Sequence, residues 1–446
     1  MRKLLIANRG EIAMRVNRAA HELGLETVAI FSEADRNAQH VKAADEAYCV
    51  GPGPVARSYL NVPNIISAAQ ISGADAVHPG YGFLAENARF AEICADHGLK
   101  FVGPSPSVIA QMGDKAVAKR LMERAGVPTT PGTEVLASLD EARAAAKRIG
   151  YPVLLKATAG GGGKGMREVS SEEELEHAYA TAQAEAEANF KDGRLYLERL
   201  MEHPRHVEVQ VLGDEHGAVV HVGERDCSVQ KPSHQKLIEE APAPHLSDRV
   251  RRKLHALAVE AARAVKYSSA GTLEFLVSGD DVYFMEMNTR IQVEHPVTEM
   301  LYGIDLVVEQ LRVAQGQRLA FKQKDLIARG HAIECRINAE DAHFSPAAGL
   351  LDVVYLPGGF DVRVDSHIFG GLTITPYYDS LLAKIVVHAP TREAAIVRMD
   401  AALRDARITG VATTIDVCRA VLADEGFRRG GVPVDYLPAL AARSAV

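Results

Sequence analysis

The chain opens on an apolar stretch, Lys3 to Ala7, followed by apolar residues at Ile12, Val16, Ala19, Ala20 and Leu23 within the segment from Gly10 to Leu23. The stretch reads as a short strand and the segment as a helix with one buried side. Thr27 to Phe31 reads as a second strand, and Ala74 to His78 and Lys100 to Val102 as further ones. Strands separated by helices of this size predict a doubly wound, mainly parallel sheet. Asn8-Arg9-Gly10 follows the first strand, where such sheets hold ligands. A tight turn explains that tripeptide equally well.

A smaller unit begins near Gly132. Ser138-Leu139-Asp140-Glu141 is a capping box that opens a helix ending at Gly150. Val153 to Lys156 is a strand, and a polar helix runs from about Glu172 to Phe190. His206 to Leu212 and Thr272 to Val277 are long strands, and from His331 the pattern becomes strand-rich, with helices at 391–406 and about 413–424. The expected fold is α/β, or α+β taken over several domains.

At 446 residues the chain exceeds one ordinary core, so two or three packed units are expected. The net charge of −8 and the lack of a basic stripe argue against a nucleic-acid partner. Cys49, Cys94, Cys227, Cys335 and Cys418 lie far apart and form no CxxC. That fits a reducing compartment, with no disulfide framework or zinc site. The apolar start is too short for a signal peptide and no run approaches a membrane span. A cytoplasmic protein with no membrane partner is expected.

The loudest local signal is Lys156-Ala157-Thr158-Ala159-Gly160-Gly161-Gly162-Gly163-Lys164-Gly165-Met166. Four consecutive glycines free the backbone N–H groups to wrap phosphate oxygens, and Lys156 and Lys164 could add positive charge. It is not a Walker A loop, which needs Gly-Lys-Ser/Thr entering a helix. A flexible hinge is the competing reading.

Gly271 to Val277 and Val282 to Glu286 read as a hairpin turning around Ser278-Gly279-Asp280-Asp281. If the register sets Glu274 opposite Glu286, two like charges face each other, and a dication would relieve them. A slip of one residue puts them on opposite faces. After Glu286 the alternation continues through Asn288, Arg290, Gln292 and Glu294, with Met287, Thr289, Ile291 and Val293 between. An extended backbone would gather those polar groups on one face. A solvated edge strand gives the same pattern. Other polar clusters, among them Glu224-Arg225-Asp226-Cys227-Ser228, His206-Val207-Glu208 and Gly113-Asp114-Lys115, are each more often structural than functional.

Taken together these blocks resemble the biotin carboxylase family within the ATP-grasp group. The similarity runs from Ile6-Ala7-Asn8-Arg9-Gly10-Glu11-Ile12 through His78-Pro79-Gly80-Tyr81-Gly82-Phe83, Met112 to Lys115 and the glycine loop. It continues through Pro204 to Glu208, Glu224 to Ser228, Glu286 to Thr298 and Glu334-Cys335-Arg336-Ile337-Asn338-Ala339-Glu340. The resemblance implies a Rossmann-like N-terminal domain over 1–114, an ATP-grasp domain over 115–330 with a mobile glycine-loop lid over 131–203, and a β-rich C-terminal domain over 331–446.

It also implies a two-step reaction. ATP phosphorylates bicarbonate to carboxyphosphate, and the carboxyl group passes to a ureido nitrogen of carrier-linked biotin. Lys115, Lys156 and His206 would hold ATP, with Gly162 and Gly163 over its phosphates. Glu198, Arg199, Leu200 and Met201 would line the adenine pocket, with His234 nearby. Glu274, Glu286 and Asn288 would bind two magnesium or manganese ions, and the two carboxylates would thereby address ATP. Lys236, Arg290, Gln292 and Val293 would hold bicarbonate, and Glu294 would take its proton. Arg336 would stabilise the ureido oxyanion, and Tyr81 would help form the biotin pocket. Lys231-Pro232-Ser233 is one residue longer than the family pattern and carries a proline, so Lys231 competes with Lys236 for the bicarbonate role.

No Ala-Met-Lys-Met biotinylation site is present in the sequence. The expectation is therefore a separate subunit, a homodimer by family, working with a biotin carboxyl carrier protein and carboxyltransferase subunits. It would serve acetyl-CoA carboxylase or a related acyl-CoA carboxylase, as in fatty acid biosynthesis. Two other readings stand beside this one. The first is an ATP-grasp ligase joining a carboxylate to an amine, and the second is a nucleotide-binding subunit without turnover.

Overall fold

The computed structural model describes residues 1–158, 166–190 and 192–444. Five parallel strands, Lys3–Ile6, Glu26–Ser32, Glu46–Gly51, Ala76–His78 and Lys100–Phe101, form the N-terminal sheet. Their spatial order is third, second, first, fourth, fifth. The helix Gly10–Glu22 buries Ile12, Ala13, Val16, Ala19 and Ala20 as its apolar stripe requires. Glu46–Gly51 is absent from the apolar pattern because it is an edge strand and stays half exposed. Gly10 has φ +66°, a conformation that favours glycine, and Asn8-Arg9-Gly10 leads from the first strand into the helix that begins at Gly10.

Eight antiparallel strands form the central sheet. Across it lie Asp281–Asn288, Ser269–Ser278, Arg205–Gly213, Val219–Gln230, Lys236–Ala241, His331–Asn338, Leu381–Ala389 and Val362–Ser366. The last three come from the strand-rich C-terminal segment, so one hydrogen-bonded ladder runs through residue 331 from the ATP-grasp side to the C-terminal side.

Alternation gives this sheet two different faces. Val207, Val209, Val211, Leu273, Phe275 and Val277 join one core with Leu254, Ala258 and Ala262 of the helix Asp248–Ala264. His206, Glu208, Gln210, Thr272 and Glu274 take the opposite face and are also buried.

The glycine-loop unit has a core of its own. Strands Met166–Val169, Val153–Ala157 and Leu195–Arg199 form a three-stranded sheet. Helices Leu139–Ile149 and Glu172–Phe190 cover it with Ala142, Ala146, Ala178 and Ala182. Ser138 caps the first helix through the Glu141 N–H, as the capping box predicts. The four glycines, Gly162 and Gly163 included, lie outside the described residues.

Phe275 is fully buried at the centre of the main core. Phe275→Ala should destabilise the central unit by about 3–5 kcal/mol through lost burial and a residual cavity. Urea unfolding followed by circular dichroism checks this.

Candidate active site

A cleft of about 1190 Å³ opens between the three units. All the site residues named from the sequence that fall among the described residues line it. Its floor is the polar face of the central sheet. Register sets Glu286 opposite Glu274, Glu274 opposite Glu208, and Glu208 opposite Arg225. The Glu274–Glu286 pairing, one of the two registers left open by the sequence, is therefore present, and a third carboxylate extends the row.

Lys236 sits over that row. Its ammonium lies 2.6 Å from Glu208, 2.9 Å from Glu274 and 2.6 Å from Glu294. Burial opposes its charge, but the three carboxylates override burial and hold its pKa well above the ordinary lysine value. His206 Nε2 approaches Glu274 at 3.2 Å. Burial would discharge this imidazole, yet Glu274 raises its pKa to about 9, so it is a cation at neutral pH. Lys231 is elsewhere, buried 2.5 Å from Glu340. Lys231–Gln235 forms the turn joining two strands, closed by the Lys231 and His234 N–H bonds, and Lys236 begins the next strand.

The strand expected to run to Glu294 ends at Asn288. Glu86 accepts from the Thr289 N–H at 3.1 Å and from Arg290 Nε at 2.9 Å, tying this segment to the N-terminal unit. The helix His295–Tyr302 then starts with Pro296 in its first turn. The polar groups converge through this turn, not along an extended face. Arg290 Nη2 donates to Asn288 Oδ1 at 2.8 Å, and Asn288 Nδ2 to Glu274 at 2.9 Å. Gln292 donates to Glu274 at 2.7 Å and accepts from Arg225 at 2.7 Å.

Glu294 is held at both oxygens, by Lys236 at 2.6 Å and by Arg336 Nη2 at 2.8 Å. Burial alone would protonate it, but Lys236, Arg336 and Arg225 lower its pKa and favour the carboxylate. Arg336 also donates to Glu239 at 2.6 Å. Tyr81 donates its hydroxyl to Glu11. Lys156 pairs with Glu198 at 2.8 Å, joining a lysine expected at phosphate to the segment expected at adenine. Leu200 and Met201 continue along the cleft wall beyond Glu198 and Arg199, and His234 stands exposed at its rim.

Burial and the facing Glu274 charge raise the pKa of Glu286. A divalent cation between the two would remove that repulsion, so the residues fit magnesium or manganese, which favour oxygen ligands. Two tighter groups, His206–Glu208–Glu274 and Glu208–Cys227–Glu294, have the Lys236 ammonium among their carboxylates.

The N-terminal segment 1–109 matches the profile described as biotin carboxylase, N-terminal domain, and residues 334–439 match the biotin carboxylase C-terminal domain. Residues 114–322 match the ATP-binding domain of the carbamoyl-phosphate synthase L chain. Biotin carboxylase of Nostoc sp. is 54% identical over 439 residues, 98% of each chain. The chain belongs to the biotin carboxylase family. Among solved structures, biotin carboxylase of Campylobacter jejuni in an ATP-analogue complex is 48% identical, with a TM-score of 0.94 over 98% of each chain. The biotin carboxylase domain dimer of Hydrogenobacter thermophilus 2-oxoglutarate carboxylase, with MgADP, ADP and bicarbonate, is 51% identical. Its TM-score is 0.92 over 98% of this chain and 97% of that one.

Sequence reasoning passed over several members of this site. Arg225 is fully buried and uses its donors on Glu208, Gln210, Thr298, Thr272 and Gln292. Glu86 and Glu239 were not singled out, and Glu208 was named only within a cluster read as more often structural than functional. The available signal was a charge inside an otherwise apolar strand, such as Glu208 between Val207 and Val209.

Two outcomes follow from this geometry. Lys236→Ala should lower bicarbonate-dependent ATP cleavage by about a hundredfold or more through lost charge stabilisation, whereas Lys231→Ala should lower the melting temperature and leave the rate nearly intact. A reversal in steady-state assays would move the bicarbonate cation to Lys231. Burial raises the Glu239 carboxyl from 4.5 to about 7, against Arg336 and with Glu294. The folded state then binds the extra proton, so this contribution to stability is full below pH 4.5 and is lost as pH rises to about 7. Glu239→Gln should flatten that decline in melting temperature.

Proposed function

We propose that the chain catalyses the ATP-dependent carboxylation of biotin on a biotin carboxyl carrier protein, with bicarbonate as the carboxyl source. The observation that carries this reading is Glu294, an ionised base gripped by Lys236 on one oxygen and Arg336 on the other. It stands where the nucleotide side of the cleft meets the C-terminal side.

In the first step a bicarbonate oxygen bonds to the γ-phosphorus of ATP as the bond to ADP breaks, giving carboxyphosphate. Lys236, Arg290, Gln292 and the Val293 backbone hold the bicarbonate in line, and Glu294 accepts its proton. Lys115, Lys156 and His206 hold ATP, with Gly162 and Gly163 over its phosphates. Glu198 to Met201 and His234 surround adenine. Glu274, Glu286 and Asn288 would hold two magnesium or manganese ions, which supply neutralisation of the phosphate charge. In the second step the carboxyl group leaves phosphate for the ureido nitrogen, whose proton passes to the released phosphate. Arg336 stabilises the negative ureido oxygen, and Tyr81 walls the pocket. The unit over 131–203, with its separate core, closes as a lid and limits hydrolysis of carboxyphosphate.

The domain division proposed is 1–114, 115–330 and 331–446. The protein works as a cytoplasmic homodimer beside carrier and carboxyltransferase subunits. The Hydrogenobacter relative is itself a dimer, and the five cysteines are unpaired, as a reducing compartment allows. Among the described residues no helix is long and apolar enough to cross a membrane.

ATP turnover with bicarbonate and free biotin should yield carboxybiotin, and Arg336→Ala should lower that yield by about 10²–10³-fold. ATP turnover driven by an amine, with no carboxybiotin, would replace this reading with a carboxylate–amine ligase.

A further inference from the structure

Lys384 lies on the strand Leu381–Ala389, and its side chain is fully buried. A lone buried ammonium is costly, so its partners carry information. Nζ donates to the backbone carbonyl of Val293 at 2.9 Å. It lies 3.1 Å from Glu11 on the first turn of Gly10–Glu22 and 3.8 Å from Asp365 on Val362–Ser366. Asp365 is already doubly bound by Arg363, at 3.0 and 2.7 Å. Glu11 in turn accepts from the Tyr81 hydroxyl, and its other oxygen, Oε2, has no partner.

Register adds a second fact. Arg336 and Lys384 are directly opposite on neighbouring strands, so both project from the same face. Arg336 grips the side chain of Glu294, while Lys384 grips the carbonyl one residue earlier. The Val293 carbonyl and the Glu294 N–H share one rigid peptide plane. Fixing that oxygen therefore fixes the plane from which Glu294 departs.

We propose that Lys384 is a positioning residue for both half-steps: it sets the Val293–Glu294 peptide at the bicarbonate base and, through Glu11, the Tyr81 hydroxyl at the biotin wall. It touches no reacting atom. The inference rests on the function proposed above, since it assigns Val293, Glu294 and Tyr81 the roles given there.

The test uses Lys384→Met, together with Lys384→Met/Glu11→Gln, which removes both charges and leaves no stranded Glu11 carboxylate. Glu11→Gln alone tests the Tyr81 branch. Readouts are KM for bicarbonate, for ATP and for free biotin, and carboxybiotin formed per ATP cleaved. Misplacement of a base on this scale should raise KM for bicarbonate by about ten- to a hundredfold. KM for ATP should stay within about twofold, because a role confined to positioning leaves nucleotide binding alone. Carboxybiotin per ATP should fall, and Glu11→Gln should raise KM for biotin with bicarbonate little changed. A purely structural lysine would lower the active fraction while leaving every KM and the stoichiometry at wild-type values, and that result overturns the proposal. Failure of both Lys384 variants to fold also overturns it, by assigning Lys384 to the framework. Absence of carboxybiotin with the wild-type chain overturns the functional reading and this inference together. Wild-type turnover with unaltered variants overturns the inference alone.

Discussion

Three carboxylates, Glu286, Glu274 and Glu208, stand side by side across adjacent strands on one face of a buried sheet. Neighbouring strands are about 4.8 Å apart, and like charges at that spacing in a partly dry cleft repel strongly. Everything around the row answers this repulsion. Arg225 closes one end, Lys236 and His206 lie over the middle, and Glu286 at the outer end keeps a raised pKa. The outer end is where a divalent cation fits. The row thus divides itself into a part neutralised by the protein and an outer carboxylate that the protein leaves uncompensated.

The same row explains why the site needs three units. Glu86, from the N-terminal unit, turns the chain after Asn288, and Arg336, from the C-terminal segment, reaches Glu294. The central ladder runs through residue 331 without a break, so the strands of Glu286 and Arg336 belong to one sheet. The glycine-loop unit has its own core and adds no strand to that ladder. A movement of that unit would leave the floor intact.

Much of this was legible beforehand, for local reasons. The parallel sheet, the Ser138 cap and the Glu172–Phe190 helix each follow from periodicity or turn chemistry. Glu274 and Glu286 were visible as charges in apolar strands, but the sequence left their register open and only the folded hairpin pairs them. What escaped was long-range. The turn at Thr289 depends on Glu86, 203 residues away, and no local pattern announces such a partner. Arg225 stood in a cluster read as more often structural than functional, because its five acceptors come from four other segments of the chain. Edge strand Glu46–Gly51 escaped for the opposite reason, since its half-exposed setting demands no apolar signal.

Arg225 carries a consequence for how such a sequence can change over time. Its side chain has no solvent contact, and its bonds reach Glu208, Gln210, Thr272, Gln292 and Thr298. A lysine offers a single ammonium in place of the planar fork and would strand most of those acceptors. A neutral residue would leave Glu208 beside Glu274 with less compensation. Replacement of either Arg225 or Glu208 therefore passes through a poorly folded intermediate unless the other changes with it. The two positions are locked into joint inheritance, and drift in this family should skirt them in favour of the half-exposed rim.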